Sequence, residues 1–374
     1  MQFSYWELKT WFSDIDFTIV GSGIVGLSTS LYLRQIYPKA KILVIERGTL
    51  PQGASTKNAG FACFGSLSEI LSDLQLLGES RTLELIEKRV TGLEILRNNL
   101  GDKKIDFKQH GGYELFLDSE NNDYQYYLDN IHKVNQLLYP LFKENVFSAR
   151  VDIFGFKGIK PLLIYNKFEG QLDTGMMMNA LLKKVQSEGI FILNNIRLNG
   201  FKNQSRSVEV DTDIYNFKTK KLCITTNGFA SQLLDIEVKP ARAQVLITKP
   251  IDNLRIKGTF HIKEGYYYFR NIDNRILFGG GRELDFKSET TTEFGLTEKV
   301  QNRLETLLKE TILPDTKFEI DHKWSGIMGV GPDKTTILTQ VEENIFCGVR
   351  LGGMGVAIGS LIGKELAALV EQKS

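Results

Sequence analysis

Three glycines in the run Gly21-Ser22-Gly23-Ile24-Val25-Gly26 stand between an apolar stretch at 16–20 and a helically periodic stretch at 24–35. Pro38 breaks that period, and a second apolar run at 42–45 follows, closed by Glu46. This order spells a strand, a helix and a second strand. Parallel strands joined through a helix need a sheet whose faces are covered by helices, so the unit fixes an α/β architecture for the start of the chain. The glycines also carry chemistry. Gly21 permits a tight turn, Gly23 lets backbone approach a pyrophosphate, and Gly26 lets helix and strand pack closely. The first helical turn, with the N–H groups of Ile24 and Val25, then faces negative charge. Glu46, with Arg47 beside it, is placed to accept hydrogen bonds from a ribose hydroxyl. The pattern predicts a site for the ADP half of a dinucleotide.

At 374 residues and 42% hydrophobic content, the chain is long enough for two interleaved domains. Its 46 basic and 45 acidic side chains nearly cancel, which excludes the electrostatic footprint of a nucleic-acid binder. Residues 1–13 lack the basic-then-apolar pattern of a secretory signal. The apolar-looking stretch 345–370 is interrupted by Arg350, Lys364 and Glu365, so no transmembrane segment is expected. Cys63, Cys223 and Cys347 are odd in number and far apart, which points to reduced thiols and a cytoplasmic setting. His110, His132, His261 and His322 are scattered, with structural or surface roles expected and no metal site.

A loop at 51–65 rich in small residues ends at Ser66, which with Glu69 offers a capping box for a helix. Long loops pinned between ordered elements tend to be functional. Helices are predicted at 79–99, 124–138, 174–187 and 296–308, and strands at 111–117, 190–193, 207–211 and 221–225. The runs 266–270 and 275–278 flank Asp273-Asn274 as a hairpin. A last strand at 345–349 leads through a glycine-rich turn into a closing helix.

The loop sequence Gly53-Ala54-Ser55-Thr56-Lys57-Asn58-Ala59-Gly60-Phe61 resembles the flavin-contacting loop of the D-amino-acid oxidase, glycine oxidase and sarcosine oxidase family of FAD enzymes. The resemblance extends along nearly the whole chain. Gly170-Gln171-Leu172-Asp173 and the following helix and strand resemble the stretch giving that family a second adenosine contact, at Ile196. Thr225-Thr226-Asn227-Gly228-Phe229 resembles its return to the cofactor, and Pro240-Ala241-Arg242-Ala243-Gln244 the start of its substrate sheet. The run Gly348-Val349-Arg350-Leu351-Gly352-Gly353-Met354-Gly355 resembles the turn that meets the flavin ring, where backbone amides and a helix N-terminus stabilise negative charge, with Gly352 to Gly355 and Val356 as the expected contacts.

This resemblance implies a Rossmann-like α/β FAD-binding domain at 14–85, 150–232 and 325–374, interleaved with an α+β substrate domain carrying a mixed sheet at 86–149 and 233–324. It implies FAD held non-covalently, since no histidine lies at 55–60 and Cys347 falls within the last strand. Cys63 is expected to be a small packing residue, with a place near the flavin as the alternative. The implied reaction is hydride transfer from an amine or amino acid to flavin, with oxygen or an electron carrier as acceptor. No second glycine motif with an acidic partner follows, which argues against a separate nicotinamide domain.

Period two puts Tyr266, Tyr268 and Arg270 on one strand face, and the family places a substrate tyrosine near Tyr266. Amino-acid oxidases of the family often carry Gly-Leu-Arg-Pro where this chain has Gly326-Ile327-Met328-Gly329. Met328 cannot bind a carboxylate, so either Arg270, Arg242 or Arg350 takes over or the substrate has no α-carboxylate. Two other readings stand beside this one. They are a nicotinamide-dependent dehydrogenase built on the same unit, and a flavin-bound protein without amine-oxidising activity.

Overall fold

Ile15–Val20 and Ile42–Glu46 are almost wholly buried, as strands must be when both faces of a parallel sheet are covered. In the computed structural model, which describes residues 2–119 and 123–373, they pair in parallel with Val20 opposite Ile45. The sheet runs in the order Ile337–Glu342, Ile345–Val349, Phe217–Ile224, Ile15–Val20, Ile42–Glu46, Phe191–Asn194. Ser207–Thr212 joins it beside Phe217–Ile224, and Leu198–Gln204 pairs in turn with Ser207–Thr212. The crossover helix Ile24–Ile36 packs against the closing helix Gly355–Gln372. Small residues permit the close crossing: a Cβ on Gly363 would stand 2.5 Å from the Ser28 Cβ.

A second sheet holds Ile320–Val330, Lys239–Thr248, Arg275–Gly280, Tyr267–Ile272, Thr259–Ile262, Gly112–Leu115, Leu162–Asn166 and Phe147–Val151, in that order. It is mixed, because Thr259–Ile262 runs parallel to Gly112–Leu115 while its other neighbours are antiparallel. Its core is aromatic: Phe260 stacks on Phe269 at 4.5 Å and on Tyr113 at 5.2 Å.

Ser66 and Glu69 form the expected capping box at the start of Leu67–Leu77. Sheet membership departs from the sequence-based division in two places. Leu162–Asn166 pairs with Gly112–Leu115, so the stretch after residue 150 begins in the second sheet and not the first. Ile320–Val330 pairs along its length with Lys239–Thr248, which carries residues 325–330 into the second sheet as well. The helix Glu79–Leu100 packs on Gly355–Gln372, because a Cβ-free Gly92 lets Ala357 approach; a Cβ there would meet the Ala357 carbonyl at 2.1 Å.

Candidate active site

The C-terminal ends of the parallel strands, the loop after Glu46 and one face of the second sheet enclose a cleft of about 1010 Å³. That is the top of the range for small-molecule sites and suits an extended ligand such as a dinucleotide. At one end lie Gly21, Gly23, Ile24, Val25, Glu46, Arg47 and Ile196. Gly26 does not line the cleft; it acts as a spacer, since a Cβ there would be 2.0 Å from the Gly21 carbonyl. A Cβ on Gly23 would crowd the Ser55 hydroxyl at 2.9 Å, the same hydroxyl that accepts the Ile24 N–H at 3.0 Å. This helix N–H is a donor that a phosphate oxygen can take instead.

Glu46 is buried and already receives hydrogen bonds from Ser22 N and Oγ at 3.1 and 2.9 Å and from Gly48 N and Gln52 N at 3.1 and 3.4 Å. A ribose hydroxyl would compete with the longest of these. The Ile196 N–H donates to the Glu46 carbonyl at 2.9 Å, which ties the expected second adenosine contact to the first. The Arg47 guanidinium lies 3.8 Å over the Phe229 ring.

The middle of the cleft is built from two backbone turns. Ser55, Lys57, Asn58, Ala59 and Gly60 line it, whereas Thr56 turns away and bonds the Pro51 carbonyl. The Asn58 side chain closes the loop on itself, donating to Ala54 O and Ser55 O and accepting from Gly60 N at 2.8 Å. Trp324 Nε1 donates to Lys57 O at 2.9 Å. Opposite stand Gly352, Gly353, Met354, Gly355 and Val356, at the start of the closing helix. Asn227 Oδ1 pins this turn by accepting Arg350 N at 3.0 Å and Leu351 N at 3.2 Å. Gly228 is again a spacer, with the Met328 carbonyl 2.4 Å from where a Cβ would stand. Thr226 lines the cleft with a buried hydroxyl that has no hydrogen-bond partner, a polar atom that a bound cofactor would satisfy.

At the far end the wall carries Tyr266, Tyr268, His261 and Met328. Tyr268 lies on the strand as expected, but Tyr266 precedes it, in a turn following Lys263, Glu264 and Gly265, all at positive φ. Burial pushes the Tyr268 hydroxyl up to about 12, so it is a neutral donor. The three arginines expected to replace a missing clamp do not line the cleft. Arg270 is buried under the loop, bonded to the Ala59 and Leu172 carbonyls. Arg242 is paired bidentately with buried Glu289. Arg350 is tied to Asp333 and Thr335.

Sequence reasoning missed a buried cluster at this end. Cys63, Glu169 and His261 bring potential ligand atoms within 4.8 Å of one another. The direct hydrogen bond from His261 Nε2 to Glu169 Oε1 at 2.6 Å makes the pair complete without a metal. Burial alone would lower the His261 pKa, but Glu169, with Glu69 and Glu114, outweighs it and raises it to about 9. Glu114 is itself pushed up to about 7, chiefly by burial. Cys63, raised well above the thiol range by burial and nearby carboxylates, is a thiol 3.9 Å from the Met354 sulfur. No local signal marks the cluster, because pairing of Gly112–Leu115 with its two neighbours is what assembles it.

A raised histidine pKa binds a proton more tightly in the folded state. Its stabilising contribution is therefore full below the unfolded value of about 6.5 and is lost as pH rises through about 9. Melting temperatures followed from neutral to alkaline pH should fall more steeply for the native protein than for Glu169→Gln. Parallel profiles would contradict this coupling.

With this geometry in view, the comparisons with known proteins are specific. The family model described as FAD dependent oxidoreductase matches residues 16–369. The sarcosine oxidase subunit beta of Rhodobacter capsulatus is 22% identical, over 99% of this chain and 91% of that protein. A protein named "Probable oxidoreductase OrdL" from Haemophilus influenzae is 19% identical, over 95% of this chain and 82% of its own length. Among solved structures, L-proline dehydrogenase from P. horikoshii superposes with a TM-score of 0.74 at 18% identity, covering 96% of this chain and 94% of that one. Glycine oxidase from Geobacillus kaustophilus gives 0.74 at 19%, covering 96% and 95%. No described helix is long and apolar enough to cross a membrane. The matched stretch takes in the glycine turn, both turns at the middle of the cleft and most of the closing helix, so the dinucleotide is FAD rather than a nicotinamide, and the chain belongs to the FAD-dependent oxidoreductase family.

Proposed function

We propose that this chain oxidises a small amine or amino acid at the Tyr266–Tyr268 end of the cleft. The observation that carries the reading is the continuity of one cleft from Glu46 to Tyr268, which joins the dinucleotide end to a wall of tyrosine, histidine and methionine. A substrate C–H bond next to nitrogen gives up a hydride and the nitrogen loses a proton, leaving an imine that water converts to a carbonyl compound and a free amine. Bound FAD supplies the hydride acceptor. The protein's part is position and polarity. In this reading Gly21, Gly23 and Glu46 hold the ADP half, Ser55–Gly60 and Gly352–Val356 bracket the ring, and Tyr268 orients the substrate as a neutral donor. The names of sarcosine oxidase, glycine oxidase and L-proline dehydrogenase among the relatives support the amine or amino-acid class. Oxygen or an electron carrier takes the electrons onward. Three buried, unpaired cysteines fit a cytoplasmic setting.

Anaerobic titration of the FAD-loaded protein with amines, N-methyl amino acids and D- and L-amino acids tests this. At least one class should bleach the flavin and yield the matching carbonyl compound. A flavin that no donor reduces would favour a flavin-bound protein without amine-oxidising activity.

A further inference from the structure

The wall that holds Tyr266 also holds a cation that the mechanism above leaves idle. Arg282 lines the cleft directly after the strand Arg275–Gly280. Gly280 and Gly281 turn the chain there at φ +126 and +80, and the Gly281 N–H donates to the Tyr266 carbonyl at 3.0 Å. A Cβ on Gly280 would stand 2.0 Å from that carbonyl, so only glycine lets the end of this strand pass so close to the Tyr266 backbone before Arg282. The guanidinium lies 4.9 Å from the Phe286 ring centroid, and Phe286 packs edge-on to Tyr266 at 6.1 Å. Stacking holds the guanidinium plane without using its donors.

Three other cations near Tyr266 are engaged, while Lys57, also cleft-lining, sits on the opposite loop against Gly326. Lys334 is paired with Asp73 at 2.6 Å, His261 with Glu169, and Lys263 with Glu283. Among the described residues, neither the Arg282 guanidinium nor the Tyr266 hydroxyl has a hydrogen-bond or ion-pair partner. An arginine with five free donors and a free phenol, both packed on Phe286 in a concave site, make an arrangement for a planar anion. Glu69 and Glu264 line the same wall, and neither lies within ion-pair distance of Arg282. Charges of both signs suit a zwitterion better than a simple amine.

We propose that Arg282, with Tyr266, binds the carboxylate of the substrate, which makes the donor an amino acid. This specificity residue comes from the end of a neighbouring strand and leaves Met328 as an apolar wall. The inference rests on the proposed oxidation only in naming the bound anion a substrate.

The test uses the FAD-loaded protein, with acetate and benzoate as unreactive probes, acetamide and benzamide as uncharged counterparts, and the flavin absorbance as readout. Carboxylates should bind and amides should not. Arg282→Met should weaken carboxylate binding on the order of 100-fold. Arg282→Lys should recover part of the loss, and FAD content and melting temperature should be unchanged in both variants. In flavin reduction, Arg282→Met should raise the half-saturating concentration of an amino acid far more than that of its decarboxylated amine. Equal carboxylate binding by native protein and Arg282→Met overturns the proposal, as does a native protein that binds amides as well as carboxylates. Carboxylates that bind through Arg282 in a protein no donor can reduce would overturn the oxidation and leave the anion site standing.

Discussion

Exchange of Arg270 for methionine is expected to strip the protein of bound flavin and to lower its melting temperature. Arg270 is 2% exposed and donates to the Ala59 carbonyl and, at 2.9 Å, to the Leu172 carbonyl. It fits beneath Gly60, whose Cβ would stand 2.7 Å from the guanidinium. One buried side chain thus ties the 53–60 loop to the segment leading into helix Thr174–Ser187. Methionine fills much of the volume but leaves two buried carbonyls without donors, at a cost of about 1–3 kcal/mol each. Burial lowers the Arg270 pKa to about 10, which still leaves it charged at neutral pH. Lysine should rescue only partly, since one ammonium cannot reproduce the fork that reaches both carbonyls. Flavin retained through gel filtration, read beside thermal unfolding, checks this. Full retention by Arg270→Met would show that the loop holds itself.

The second large effect is expected from Gly26→Ala. One added methyl would lie 2.0 Å from the Gly21 carbonyl, in the turn proposed to receive the pyrophosphate, and 2.6 Å from Thr225 Oγ1, which donates to the Val20 and Gly21 carbonyls. Helix Ile24–Ile36 would have to move off strand Ile15–Val20. Overpacking of this kind costs about 1–3 kcal/mol, and FAD affinity should fall by at least about tenfold as the Ile24 N–H leaves its place. Gly200→Ala is the matched control: nothing lies within 4 Å of a Cβ there and Gly200 does not line the cleft, so it should bind FAD normally. Equal losses in both variants would mean that the close helix–strand approach is not what matters.

These two positions mark what local sequence carries and what it does not. Gly26 was legible because turn, helix and acidic residue fall within one contiguous unit whose period and spacing are local properties. The Ser66 cap was legible for the same reason. Strand alternation puts Arg270 on the face of Tyr268, but its role was not visible, because two of its acceptors come from Ala59 and Leu172, far along the chain. The second sheet was harder still. Its strands come from 112–115, 147–166 and 239–330, and pairing between them leaves no local mark on Leu162–Asn166. Alternation placed Tyr266 in the strand, yet the positive φ values at Lys263, Glu264 and Gly265 delay the strand by one residue. The cue to Arg282 was present as Gly279-Gly280-Gly281 at the end of a strand, a run that allows the backbone close to its neighbour.

All of this depends on the cleft being a non-covalent FAD site, and that is measured by acid precipitation of the purified protein followed by analysis of the supernatant. The protein should be yellow, and one FAD per chain should be released into solution, leaving a colourless pellet. A colourless protein that takes up no added FAD, or flavin that stays with the pellet, would contradict the account.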